Sequence, residues 1–144
     1  MLEEDYCSYE VAKLLEEKGF DEPCIRHWDC DDHSLYGYND IPISNSELQA
    51  NEYNGFSAPS QSMAMKWLRE VHQLYISVDV CPIYGKVKDE KGRNTCGLLY
   101  WHYIASGEWV NEKYNPNQKA FVVSAKTYEE AVGAALKYSL ENLI

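Results

Sequence analysis

One stretch limits the fold more than any other: TYEEAVGAALKYSLENL, residues 127–143. Thr127 followed three residues later by Glu130 forms a capping-box pair, in which each side chain can satisfy an orphan N–H of a helix start. Val132, Ala135, Leu136, Ser139, Leu140 and Leu143 then recur at helical spacing. The small residues Ala131, Gly133, Ala134 and Ala135 let such a helix lie close against a sheet, where bulkier side chains would hold it away. The rest of the chain must therefore supply a sheet for this helix to cover.

A first helix is expected from Ser8 as N-cap to Lys18, with Val11, Leu14 and Leu15 as its apolar stripe. Gly19 suits the left-handed C′ position, Phe20 the C″ position that folds back on the last turn, and Pro23 blocks resumption. In CIRHWDCDDHSLYGY, residues 24–38, two short extended runs flank Asp31–Asp32 and predict a hairpin. Residues 39–57 are rich in turn formers and read as a loop, with a helical turn at SELQANEY.

The second helix should begin between Ser57 and Ser60, with Pro59 in its first turn, and reach about Leu74. Ala64, Trp67, Leu68, Val71 and Leu74 form its stripe. Three extended runs follow, Tyr75 to Tyr84, Thr95 to Ala105 and Lys119 to Ala125, the first two joined by the hairpin turn GKVKDEKGRN. The predicted class is α+β: an antiparallel sheet of three to five strands with helices packed on one face. Residues 57–144 carry the order α-β-β-β-α, and residues 1–56 add an acidic N-terminal helix plus hairpin within one compact domain.

A chain of 144 residues can bury roughly 70% of its unfolded surface and needs no covalent staples. Its five cysteines, Cys7, Cys24, Cys30, Cys81 and Cys96, are odd in number and scattered. MLEEDYC lacks the basic and apolar regions of a signal peptide, so a reduced, cytoplasmic protein is expected. The longest nearly apolar run, Gly97 to Ala105, falls far short of the roughly 20 residues that span a bilayer, so no membrane insertion is expected. Charge is uneven: residues 1–56 hold fourteen acidic side chains against three basic ones, whereas residues 57–144 are close to neutral. Non-specific nucleic-acid binding needs clustered Lys and Arg to displace counterions, so the front half argues against it.

The helix, three strands and helix of residues 57–144, with Ser124-Ala125-Lys126 leading into an Ala-rich helix, resemble the double-stranded-RNA-binding domain in order of elements. That resemblance implies duplex RNA binding by lysines at the start of the last helix. Here that start is Lys126-Thr127-Tyr128-Glu129-Glu130, one base followed by two acids, while Lys86, Lys88, Lys91 and Arg93 give the hairpin tip its basic character. A second resemblance rests on GFDEPC (19–24), SAPSQSMAMKWLREVH (57–72) and TYEEAVGAALKYSLENLI (127–144). These phrases are similar to a group of uncharacterised small proteins carried by prophages and other mobile elements of gut bacteria. The similarity implies a cytoplasmic accessory protein of phage origin and carries no site with it.

The sharpest chemical pattern is Cys24, His27, Cys30 and His33, every third residue a ligand that Zn²⁺ accepts. Residues three apart on one strand point to opposite faces, so these four converge only on a turn or irregular loop. The competing reading is a buried Cys24 with His27 and His33 on the surface. Cys30 beside His27 or His33 could form a thiol–imidazole pair, but the acids around it oppose thiolate formation. Cys81 and Cys96 lie in strand-like runs and read as small core residues, and His72 and His102 as packed or surface histidines. Glu3-Glu4-Asp5, Glu16-Glu17, Asp21-Glu22 and Asp31-Asp32 could together imitate a phosphate backbone for a host nucleic-acid-binding protein or simply form solvated faces.

No P-loop, dinucleotide fingerprint, HExxH or GxSxG occurs, so neither an enzyme nor a cofactor is expected. What remains is an aromatic surplus of twelve Tyr and four Trp. Tyr100, Trp101 and Tyr103 place aromatics on both faces of one strand, and Trp109 and Tyr114 follow in the adjoining loop. An aromatic sheet face left uncovered is a candidate protein-binding surface, with Tyr100, Trp101, Tyr103 and Trp109 as its residues. The expected function is a non-enzymatic accessory protein that binds another protein of host or phage, or a second copy of itself as a homo-oligomer. The alternatives are duplex-RNA binding and a small zinc-binding protein.

Overall fold

The computed structural model of the chain describes residues 4–37, 39–106 and 124–144. Local signals set the first helix, α1 (Tyr9–Glu17), where the Ser8 side chain accepts the Val11 N–H at 3.3 Å. Gly19 takes φ +93°, and the Phe20 N–H then returns to the Leu15 carbonyl at 2.9 Å, burying the Phe20 ring under the helix end. The expected hairpin follows as β1 (Arg26–Asp29) and β2 (Leu35–Gly37), paired Arg26 to Gly37 and Trp28 to Leu35.

The long loop holds more structure than its turn formers suggested. Within it, α2 (Asn45–Ala50) starts from a full capping box between Ser44 and Glu47, and β3 (Gly55–Ser57) pairs antiparallel with β1. Gly55 is required there, because a Cβ would run into the Trp28 carbonyl oxygen and the Tyr53 ring. Asn45, buried, ties the region together: its amide donates to the Phe20 carbonyl at 2.7 Å and its oxygen accepts the Ser57 N–H at 2.7 Å.

Helix α3 (Gln61–His72) is capped by Ser60, so Pro59 precedes the cap rather than entering the first turn as expected. Gln73 turns left-handed at φ 55° and ends the helix, so Leu74, read as the last member of the helical stripe, is instead the first residue of a strand. Strands β4 (Leu74–Lys88) and β5 (Asn94–Ser106) form a long hairpin, with a register shift between Tyr84 and Val87. At its tip Asp89 accepts the backbone N–H groups of Lys91 and Arg93, each at 2.9 Å, and Gly92 takes φ +73°. Midway along, Pro82 stands opposite Leu98.

Of the expected third run, Ser124–Ala125 form β6 on β5, and residues 119–123 lie outside the described residues. The opening stretch becomes α4 (Tyr128–Asn142), with the Thr127 hydroxyl accepting the Glu130 N–H at 3.1 Å. The Glu130 carboxylate reaches the Lys126 N–H, one residue before the cap, instead of the Thr127 N–H that a strict capping box uses.

The class is α+β. The expectation of one sheet is corrected to two among the described residues, each three-stranded: β2-β1-β3 and β4-β5-β6. Residues 1–56, expected as an extension, contribute Cys7, Val11, Leu15, Phe20, Cys24 and Phe56 to the apolar cluster that also holds Trp67, Leu68, Ile104, Leu136 and Leu140. Helix α4 therefore covers β4 and β5 while also packing on α1. Ala131 and Ala135 of its small-residue stripe are fully buried, whereas Gly133 and Ala134 are only half-buried.

Candidate protein-binding surface

Alternation along β4 and β5 sorts their side chains into two sets. Leu74, Ile76, Val78, His102 and Ile104 belong to the layer that meets the helices, as their burial and their cross-strand pairing, Ile76 to Ile104 and Val78 to His102, require. Tyr75, Ser77, Asp79, Trp101 and Tyr103 point the other way, with Ser77 opposite Tyr103 and Asp79 opposite Trp101. Tyr75 is 43% exposed and Trp101 and Tyr103 are half-buried, the Trp101 Nε1 fully so, and this outer face thus presents part of its aromatic surface interleaved with one hydroxyl and one carboxylate.

The four aromatic candidates divide. Trp101 and Tyr103 share the outer face, joined by Tyr75, which sequence reasoning did not single out although its alternation with Ile76 gave the signal. Tyr100 is paired with Val80 on the helix side, and its ring meets that of Tyr128 on α4 edge-on, with centroids 6.5 Å apart. It belongs to the contact between sheet and helix, because one residue along a strand changes the face. Trp109 lies outside the described residues.

The four metal candidates do not assemble. Cys24 is buried in a bridge to Ile43, its Sγ 3.4 Å from the Glu22 carbonyl oxygen and 3.8 Å from Met63 Sδ. Burial pushes that thiol up to about 12, the opposite of what a zinc ligand needs. His27 sits in the central strand between the Tyr36 and Tyr53 rings, and burial holds its imidazole below the usual histidine range, with Asp29 opposing. Cys30 lies in the turn beside the Tyr9 hydroxyl, while His33, at φ 54°, stacks on the Tyr9 ring at 4.0 Å. Of the four only His27 lies in a strand, Cys24 standing in an isolated bridge before it and Cys30 and His33 in the turn after it, and among the described residues no group of three His, Cys, Asp or Glu forms a metal-holding set.

The acidic residues of this region are engaged within the fold. Asp29 accepts the Asp31 and Asp32 N–H groups on one oxygen and the Tyr53 hydroxyl, at 2.8 Å, on the other. Asp32 accepts from Ser34 and from the Tyr36 hydroxyl, and Asp31 from Asn54. Asp21 receives both the N–H and the hydroxyl of Ser46 at the start of α2, and these bonds hold its carboxyl below the usual range. The acid pairs read as phosphate mimics or solvated faces thus include carboxylates whose oxygens serve turns and a helix start. Between α1 and α4 runs an open groove of about 550 Å³, lined in part by Tyr9, Leu14 and His33 and bridged by a 3.2 Å ion pair from Lys137 to Glu10.

Comparison of the chain with protein-family models, with curated proteins and with solved structures finds no significant match. Among the described residues, no helix is long and apolar enough to cross a membrane.

Proposed function

We propose that this chain is a non-enzymatic accessory protein of phage or mobile-element origin that acts by binding another protein. The observation that carries this reading is the outer face of β4 and β5, where Tyr75, Trp101 and Tyr103 stand on the side away from the helices. Tyr and Trp supply large contact area at little conformational cost and dominate interface hot spots. The phage origin rests on the wording of residues 19–24, 57–72 and 127–144 described above.

The test compares wild type with the double variant Tyr75→Ser, Trp101→Ser in pull-downs from host and from phage-infected cytoplasm. Circular dichroism establishes that both are folded. One partner retained by wild type and lost by the folded double variant is the expected outcome, and a partner set unchanged by the substitutions overturns the reading. A mobility shift with duplex RNA at low salt addresses nucleic-acid binding through the hairpin tip, where Lys88, Lys91 and Arg93 stand, Arg93 being paired with Asp89 at 2.7 Å. Tight, salt-dependent binding there would replace the proposal.

A further inference from the structure

His102 is 1% exposed, and neither ring nitrogen makes a hydrogen bond of good geometry among the described residues, the Ala131 backbone standing nearby. It lies in the helix-facing layer of β5 beside Ala131 of α4. A second, half-buried imidazole closes α3: the His72 Nε2 is buried without a hydrogen-bond partner among the described residues, and its ring stands edge-on to Trp67 with centroids 4.7 Å apart. A neutral imidazole is tolerated in these places, although each unpaired nitrogen has a desolvation cost; a charged one has a much larger cost.

The groups around each ring decide which contact yields to acid. At His27 the Asp29 carboxylate favours the charged form and partly offsets burial. No carboxylate acts on His102 among the described residues: burial opposes its charge, and the Ala131 backbone favours it more weakly. At His72 the nearby charge is Lys18, which adds repulsion to burial. His102 thus lies where α4 meets the second sheet and His72 at the end of α3 against Trp67, with no carboxylate acting on either among the described residues, whereas His27, which has one, lies in the first sheet.

We propose that His102 and His72 make the helical cover of the second sheet an acid-released latch, protonation lifting α4 from β5 and uncovering Ile76, Val78 and Ile104. The sign follows from linkage. Both native imidazoles titrate below the ordinary value of 6.5, so their contribution is complete above that pH and is lost as pH falls through it. A histidine kept neutral in the closed form and free to protonate in the open one raises the open population about 30-fold at pH 5, relative to neutral pH.

Native-state hydrogen exchange between pH 7.5 and pH 5.0, corrected for intrinsic exchange rates, tests this on wild type, His102→Leu and His72→Gln. The expected result is a fall, of up to about 30-fold for each histidine, in protection of the Ala135 and Leu136 amides, a smaller fall in β1, and loss of most of the effect in His102→Leu. Protection in α4 that is unchanged to pH 5, an equal fall in folded His102→Leu, or equal loss in β1 and α4 would each overturn the proposal. Should His102→Leu not fold, nuclear magnetic resonance titration of the wild-type His102 ring decides. A ring that stays neutral until α4 begins to exchange supports the latch; a ring that charges near the ordinary value while α4 stays protected overturns it.

Discussion

Asn45 shows what a single side chain can do here and why the sequence hid it. Its two bonds go to Phe20, 25 residues away, and to Ser57, 12 residues away, so nothing local to NSELQA announces them. Ser8, Gly19 and Phe20 were legible because caps are written within a few residues of the helix they end. Asn45→Ala should cost about 2–4 kcal/mol in urea unfolding, since it leaves a buried carbonyl and a buried N–H unpaired. Asn45→Asp should cost at least as much, because it sets a carboxylate oxygen against the Phe20 carbonyl where an amide donated. Equal stability of both variants with wild type would show that water replaces these bonds at no cost. The metal pattern illustrates the reverse error of legibility: Cys24, His27, Cys30 and His33 are conspicuous in one dimension, and the bridge, the strand and the turn disperse them.

Among the elements, α4 was the most legible, because its cap and its stripe lie in one continuous stretch. Its Gly133 has no conformational need to be glycine: a Cβ there meets only the Gln61 amide nitrogen at 3.7 Å, an ordinary contact. Gly133→Ala should therefore stabilise the protein by about 0.5–1 kcal/mol, read as a raised urea midpoint at unchanged slope. Helix α3 departs from the expectation at both ends, with Pro59 ahead of the Ser60 cap and Gln73 stopping the helix before Leu74. Val71 repeats the spacing of Ala64 and Trp67 yet is 58% exposed, and Val80 on β4 repeats that of Ile76 and Val78 yet is 53% exposed. Periodicity says which side chains share a face; it does not say how far the opposing layer extends. The same gap explains the outer aromatic face, whose alternation was visible while its relation to the helices was not.

At the scale of the molecule, the sequence placed the fold class and the β1–β2 hairpin and missed the strand that makes this hairpin a sheet of its own. Strand β3 is three residues long and lies within a run of turn formers, so its pairing with β1 depends on contacts that no local pattern encodes. The two sheets meet through α1 and α4, with Leu136 fully buried in the shared cluster. Leu136→Ala should cost about 2–5 kcal/mol and lower the unfolding midpoints of the first and second sheets together, as followed by hydrogen exchange in β1 and in β4. Midpoints that separate would mean the two sheets unfold independently. Strand β4 is the outermost of its sheet among the described residues, and Pro82 sits in its middle. A proline nitrogen carries no hydrogen, so Pro82 supplies no backbone donor in the middle of this strand. Pro82 also interrupts the otherwise β-prone run from Ile76 to Tyr84, so Pro82→Val should shorten the lag of thioflavin-detected aggregation at pH 5.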